Sequence, residues 1–321
     1  MILAMPAPLS PPNFDVAAAY PQVSQVRAAL AARDWPALRV LVEGQDPHGQ
    51  TFLVGEAGET PDIEEFLREV LAQQPDDRLA GALLGSHLIR AGWRIRSSYR
   101  AEHVSREQFA QFHAHLRRAE QVLIDVTARH PDDAAAWTQR ITNARGLQLG
   151  QAEARRRYDQ LAKHHPHHLP AQASLLQQFC PKWSGTWERA HGFARECADA
   201  APPGAPNAVL VVEAHLEQAL DHDTLGKASA HLRGSHVHRE IHQAAQQSVW
   251  HPEFRNGWGW VWVRSIFAMA FCLLDEYPAA AQQFAAMGPL GDTAMFGYID
   301  GDSTKQFQRF RDKAYAKGGQ S

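Results

Sequence analysis

Histidine is the residue type best placed to do chemistry in this chain, with 18 copies in 321 residues. His238 and His242 are four apart, which sets both imidazoles on one helix face, the spacing zinc sites use. With His236 they form the candidate metal set His236, His238 and His242. Glu240 lies between them, two residues after His238 and about 200 degrees around a helix. The metalloprotease motif needs its glutamate directly after the first histidine, so the segment fails as a protease motif and leaves a non-catalytic metal site as the minor alternative to a structural role. His164, His165, His167 and His168 flank Pro166. No acid or thiol stands beside them, and they read as a helix end whose dipole favours imidazole. His113 and His115 are two apart and do not share a face.

Tryptophan is the second signal. Trp183 and Trp187 bracket Ser184-Gly185 and follow Lys182, while Trp250, Trp258, Trp260 and Trp262 gather around Gly257 and Gly259. Aromatic residues in such numbers line ligand or peptide surfaces, and they also fill the gaps between stacked helices. Packing is the preferred reading. Trp183, Trp187, Trp258, Trp260 and Lys182 are the candidate binding residues, because loops on a rigid scaffold carry recognition. Arg94, Arg96, Arg100, Lys182 and Arg189 are cations that a fold would have to gather. Arg155, Arg156 and Arg157 spread around a helix instead.

No phosphate loop, dinucleotide fingerprint or nucleophile elbow occurs. The expectation is no catalytic residue and no cofactor. The 32 basic and 35 acidic residues give a net charge of -3, which argues against nucleic acid. Cys180, Cys197 and Cys272 form no CxxC pair, and a reducing cytoplasm is the simplest setting. The longest apolar stretch, 258–274, contains Arg264 and is too interrupted to span a bilayer. The N-terminus lacks a basic segment before its apolar run, so no signal peptide is read.

The elements that must position these residues are helical. Ala, Leu, Gln, Arg and Glu dominate the chain and apolar residues make up 45%. Pro131, Pro166 and Pro202 recur at intervals of 35 and 36, the mark of stacked antiparallel helix pairs. Residues 1–14, with four prolines, predict a disordered lead, and 15–321 one helical repeat domain. Helices are expected near 22–33, 35–43, 62–74, 78–97, 134–148, 151–164, 169–179, 185–200, 207–220, 236–249, 258–275, 278–287 and 303–316, with a long helix opening at Ser105 whose apolar stripe runs from Phe109 to Val126. Ser105 and Gln108 form a capping box. Residues 45–60, rich in glycine and proline, predict a loop, and 221–235 a less regular stretch.

Trp137, Ala154, Tyr158 and Pro166 resemble the anchors of a tetratricopeptide repeat, with Leu84-Gly85 and Ala119 as weaker copies. The fold class expected is all-α, a tetratricopeptide-like α-α superhelix of about six helix pairs whose concave side holds a protein or peptide. The segments AEHVSREQF (101–109), RGLQLGQAEARRRYDQLAKHHPHHLPA (145–171), CPKWSGTWERAHGFARECADAAPPGAPN (180–207) and the run at HPEF (251–254) resemble a family of actinobacterial proteins carrying a domain of unknown function. That resemblance covers most of 35–290 and implies no activity, cofactor or site residue. The sequence therefore predicts a non-catalytic scaffold. Its alternatives are a histidine-cluster metal protein or enzyme, and a small-molecule binder with a tryptophan-lined pocket.

Overall fold

The computed structural model describes residues 10–96, 104–221, 224–299 and 301–318. Among them the chain is all-α: 17 α-helices, no strand and one isolated bridge between Asn13 and Leu290. Two compact units are distinguished, Tyr20–Phe193 and Met1–Ala19 with Ala194–Ser321. No helix among the described residues is long and apolar enough to cross a membrane.

The first unit, Tyr20–Phe193, holds α2 (Pro21–Ala31), α3 (Trp35–Glu43), α4 (Pro47–Gly58), α5 (Glu64–Gln73), α6 (Arg78–Arg96), α7 (Arg106–Arg129), α8 (Ala134–Gly146), α9 (Gln151–Ala162) and α10 (Leu169–Phe179). The division falls inside α11 (Trp187–Ala200). Helix α6 packs on α7 and α8, α8 on α9 and α10, and α9 on α10. Helices α6 and α8 thus each meet the next helix and the next but one. Ser105 opens α7 with the expected capping box. Glu120, Arg140 and Arg157 tie α7, α8 and α9 together through a buried ion-pair cluster.

Three of the turns share one construction. The amides of Gln74, His130 and His165 close their helices on Val70, Val126 and Leu161. Asp77, His168 and Asp133 then donate to Gln74, His165 and His130, and accept the first bond of the following helix. Asp77 and Asp133 cap α6 and α8 through their carboxylates, bonding the amides of Ala80 and Ala136 at 2.9 and 2.7 Å. Consecutive turns are also joined. The His130 ring bonds the Asp76 carbonyl at 3.3 Å, and the His165 ring bonds the Asp132 carbonyl at 2.9 Å. Each histidine closing one turn therefore reaches the same position of the turn before. Pro202 departs from this pattern: Gly204, at φ +73°, donates to Gln247 instead, and a short 3-10 turn precedes the next helix.

Residues 45–60 form helix α4, not the expected loop. Asp46 caps it at 2.7 Å and Pro47 fills its first position. Its glycines give close approach: a Cβ on Gly58 would sit 2.4 Å from Ser86 Oγ on α6. Helix α4 packs on α6, α8 and α10. Thr51 donates to the Pro47 carbonyl and accepts from His168 Nε2 at 3.0 Å, and the His48 ring lies 5.6 Å from that of His168.

This histidine pair predicts acid sensitivity. Burial pushes His48 down to about 4, against the opposing charge of Asp46, and holds His168 well below the usual imidazole range. Both are neutral in the fold at pH values where the unfolded chain has protonated them. The unfolded state then binds more protons, so stability is complete above about 6.5 and falls as pH drops toward 4. His48 is half-buried, so its share is about 2 kcal/mol after allowing for solvent screening. Urea melts at pH 7.5 and 4.5 should show this loss, and His48→Gln should reduce it.

The second unit contains α12 (Val209–Leu220), α13 (Leu225–Leu232), α14 (Ser235–Gln247), α15 (Trp260–Leu273), α16 (Tyr277–Met287) and α17 (Ser303–Gly318), with α1 (Val16–Ala19) at its start. Helix α13, capped by Thr224, occupies Leu225–Leu232 within the stretch 221–235 expected to be less regular, of which 222–223 lie outside the described residues. Helix α15 is buried almost throughout, as its apolar sequence requires, and packs on α12, α16 and α17. Phe307 anchors α17 edge-on against Phe284, Phe296 and Phe14. The expected disordered lead is corrected over 10–14. Asn13 exchanges backbone bonds with Pro289 and Gly291, and Arg311 donates to the Ser10 carbonyl at 2.9 Å. Residues 1–9 lie outside the described residues.

Candidate functional site

Helix α14 carries acid and imidazole on two sides. On one side His238 and His242 stack with ring centroids 4.5 Å apart, as their spacing requires. Both Nε2 atoms point at the carboxylate of Glu276, which precedes α16. His238 lies 2.6 Å from Oε1, and His242 lies 2.9 Å from Oε1 and 2.8 Å from Oε2. One candidate ligand atom from each residue falls within 4.8 Å of the other two. Glu276 is fixed by its backbone, donating to Phe271 and accepting from Ala280. The His242 ring leans edge-on against Trp250 and Phe271, which stack on each other at 5.1 Å. Trp250 is held in turn by its bond to Gln282. All three candidate ligands are half-exposed, so the group opens to solvent.

The other side of α14 is occupied by Glu240. It pairs with buried His215 at 2.7 Å, with Arg195 at 3.1 Å and with His236 at 3.4 Å. Burial works to raise the Glu240 carboxyl, but the His215 bond and the charges of Arg195 and His236 outweigh it and hold it below its usual range. The expected set His236, His238 and His242 is thus corrected at one member. His236 sits two residues from His238, turns to Glu240, and is replaced in the group by Glu276.

In the unit Tyr20–Phe193, Trp183 ends the 3-10 turn Pro181–Trp183 and meets Trp93 of α6 at 90° and 5.8 Å. Two guanidiniums flank this pair. Arg96 lies 5.5 and 6.0 Å from the Trp93 and Trp183 rings, and Arg145 lies 6.0 and 5.5 Å from them. Arg96 and Arg145 stand in the last turns of α6 and α8, where a cation also meets the negative helix pole. Lys182 belongs to the same 3-10 turn, and Arg189 lies over Phe179 and donates to Gln151. Trp187 approaches His191 at 6.4 Å. Trp258 and Trp260 lie in the other unit, half-exposed at the start of α15. A cavity of about 220 Å³ near Pro75, Asp77, Gly81 and Arg129 contains none of these residues.

The four histidines around Pro166 do not converge. His165 bonds Asp132, His168 bonds Thr51 and His164 is exposed. All three cysteines are buried thiols outside any disulfide, and burial pushes the Cys272 thiol up to about 12, so none is a ready nucleophile.

No protein-family model, curated protein or solved structure matches the chain.

Proposed function

We propose that this protein is a non-catalytic helical-repeat scaffold, tetratricopeptide-like in its stacking and related to the actinobacterial family its segments resemble, that holds a protein or peptide. The ladder of like turns at Pro75, Pro131 and Pro166 supports this reading, because it joins successive helix pairs in one register. The shared face of α6, α8 and α10 is taken by the chain's own α4, so the partner docks elsewhere. The Trp93–Trp183 pair, with Arg96 and Arg145 beside it, is the docking place this reading selects. Aromatic anchors flanked by arginine are the usual strong points of an interface. The charge there suits an acidic segment carrying an apolar anchor. A cytoplasmic setting accords with three buried cysteines that form no disulfide.

Fluorescence polarisation with synthetic peptides tests this reading. Acidic peptides containing one leucine or tryptophan should bind, and their lysine counterparts should not. Arg145→Glu should weaken binding at least about tenfold, roughly 1.4 kcal/mol. Binding that ignores this substitution, or no binding by any acidic peptide, would overturn the assignment.

A further inference from the structure

The geometry points to a binding site for one divalent transition-metal ion, zinc foremost, formed by His238, His242 and Glu276. This inference is independent of the scaffold reading, since it uses only the unit that contains α14 to α16.

Two imidazoles and a carboxylate are the donor types that zinc takes in three-ligand sites, with a fourth position left to water or another ligand. The three side chains come from fixed backbone: a helix interior for the histidines and a capping position for the glutamate. Their present contacts of 2.6 to 2.9 Å are hydrogen bonds from Nε2–H to carboxylate. Bond lengths of about 2.0–2.1 Å to a tetrahedral ion separate ligand atoms by roughly 3.3 Å. Each histidine–carboxylate pair therefore opens by roughly 0.4–0.7 Å to admit an ion. Both imidazoles then carry their proton on Nδ1 and give Nε2 to the metal, which moves no net charge. Trp250 and Phe271 hold the His242 ring from behind, the kind of support that keeps a ligand oriented. Glu240 is committed to His215 and Arg195 on the far side of α14. The site therefore has no glutamate base in the metalloprotease position and is assigned to binding.

Tag-free full-length protein, stripped with chelator and titrated with zinc chloride, tests the proposal. One ion per chain should bind, and cobalt should give the visible absorption of a four-coordinate centre. His242→Ala should weaken binding by about 100-fold or more, and the near-isosteric Glu276→Gln by at least about tenfold. His236→Ala should leave both readings unchanged, which separates this group from binding by exposed histidines elsewhere. Circular dichroism of each variant establishes that it is folded. Titration without saturable binding would overturn the proposal. So would zinc affinity that survives both ligand substitutions, or loss on His236→Ala in a folded protein.

Discussion

Glu120→Ala should lose about 3–5 kcal/mol of folding stability, a large share of what a domain of this size holds. Its carboxylate accepts from Arg140 and Arg157 at 2.9 Å on Oε1, and from Arg157 at 3.0 Å and Asn143 at 2.8 Å on Oε2. Arg140 and Arg157 have side chains only 9% and 3% exposed, so water cannot replace the lost partner. Burial works to raise the Glu120 carboxyl, yet Arg157, Asn143 and Arg140 hold it below its usual range. Alanine leaves two buried guanidiniums facing each other, with Glu153 able to pair only Arg157. Urea unfolding should show a lower midpoint with an unchanged slope. Replacing all three charges together, as Glu120→Leu with Arg140→Met and Arg157→Met, should cost far less, because no charge is then stranded. A loss below about 1 kcal/mol for the single variant would mean that the cluster is effectively solvated.

Gly185→Ala should cost about 3 kcal/mol through a clash that side-chain motion cannot relieve. A Cβ there would lie 1.9 Å from the Phe179 carbonyl oxygen and 2.3 Å from its carbon. Phe179 is itself fixed, buried edge-on against Phe193 at 5.4 Å. The turn that ends in Trp183 must therefore shift, and Trp183 leaves Trp93. Near-ultraviolet circular dichroism should report that separation alongside the urea melt. Gly192→Ala is the matched control. Nothing lies within 4 Å of its Cβ position inside α11, so it should gain about 0.5–1 kcal/mol from helix propensity. Equal stability of the two variants would contradict the stated geometry.

Where a signal was local, the sequence carried it. Ser105 with Gln108, Asp34 before Trp35-Pro36 and the Pro131-Asp-Asp turn all act through residues three or four apart. Helix α4 was hidden because Gly49, Gly55 and Gly58 are poor helix formers, and the value of Gly55 and Gly58 lies in contacts with α6. The His238–His242 pair was legible from its spacing. Glu276, 34 residues beyond His242, carries no local signal that links it to the pair, since its role depends on tertiary approach. His236 was separable in principle: the same 200-degree offset that sets Glu240 apart also sets His236 apart from His238. Trp183 was singled out, but its partner Trp93 lies 90 residues earlier and no local pattern links them.

The rung-like bonds from His130 to Asp76 and from His165 to Asp132 make the stretch between them a module whose two ends match. A tandem copy of such a piece would meet its neighbours through linkages already in use. Lengthening the array by duplication thus requires no junction of a new kind, and the 35-residue interval becomes a natural unit of growth for this architecture.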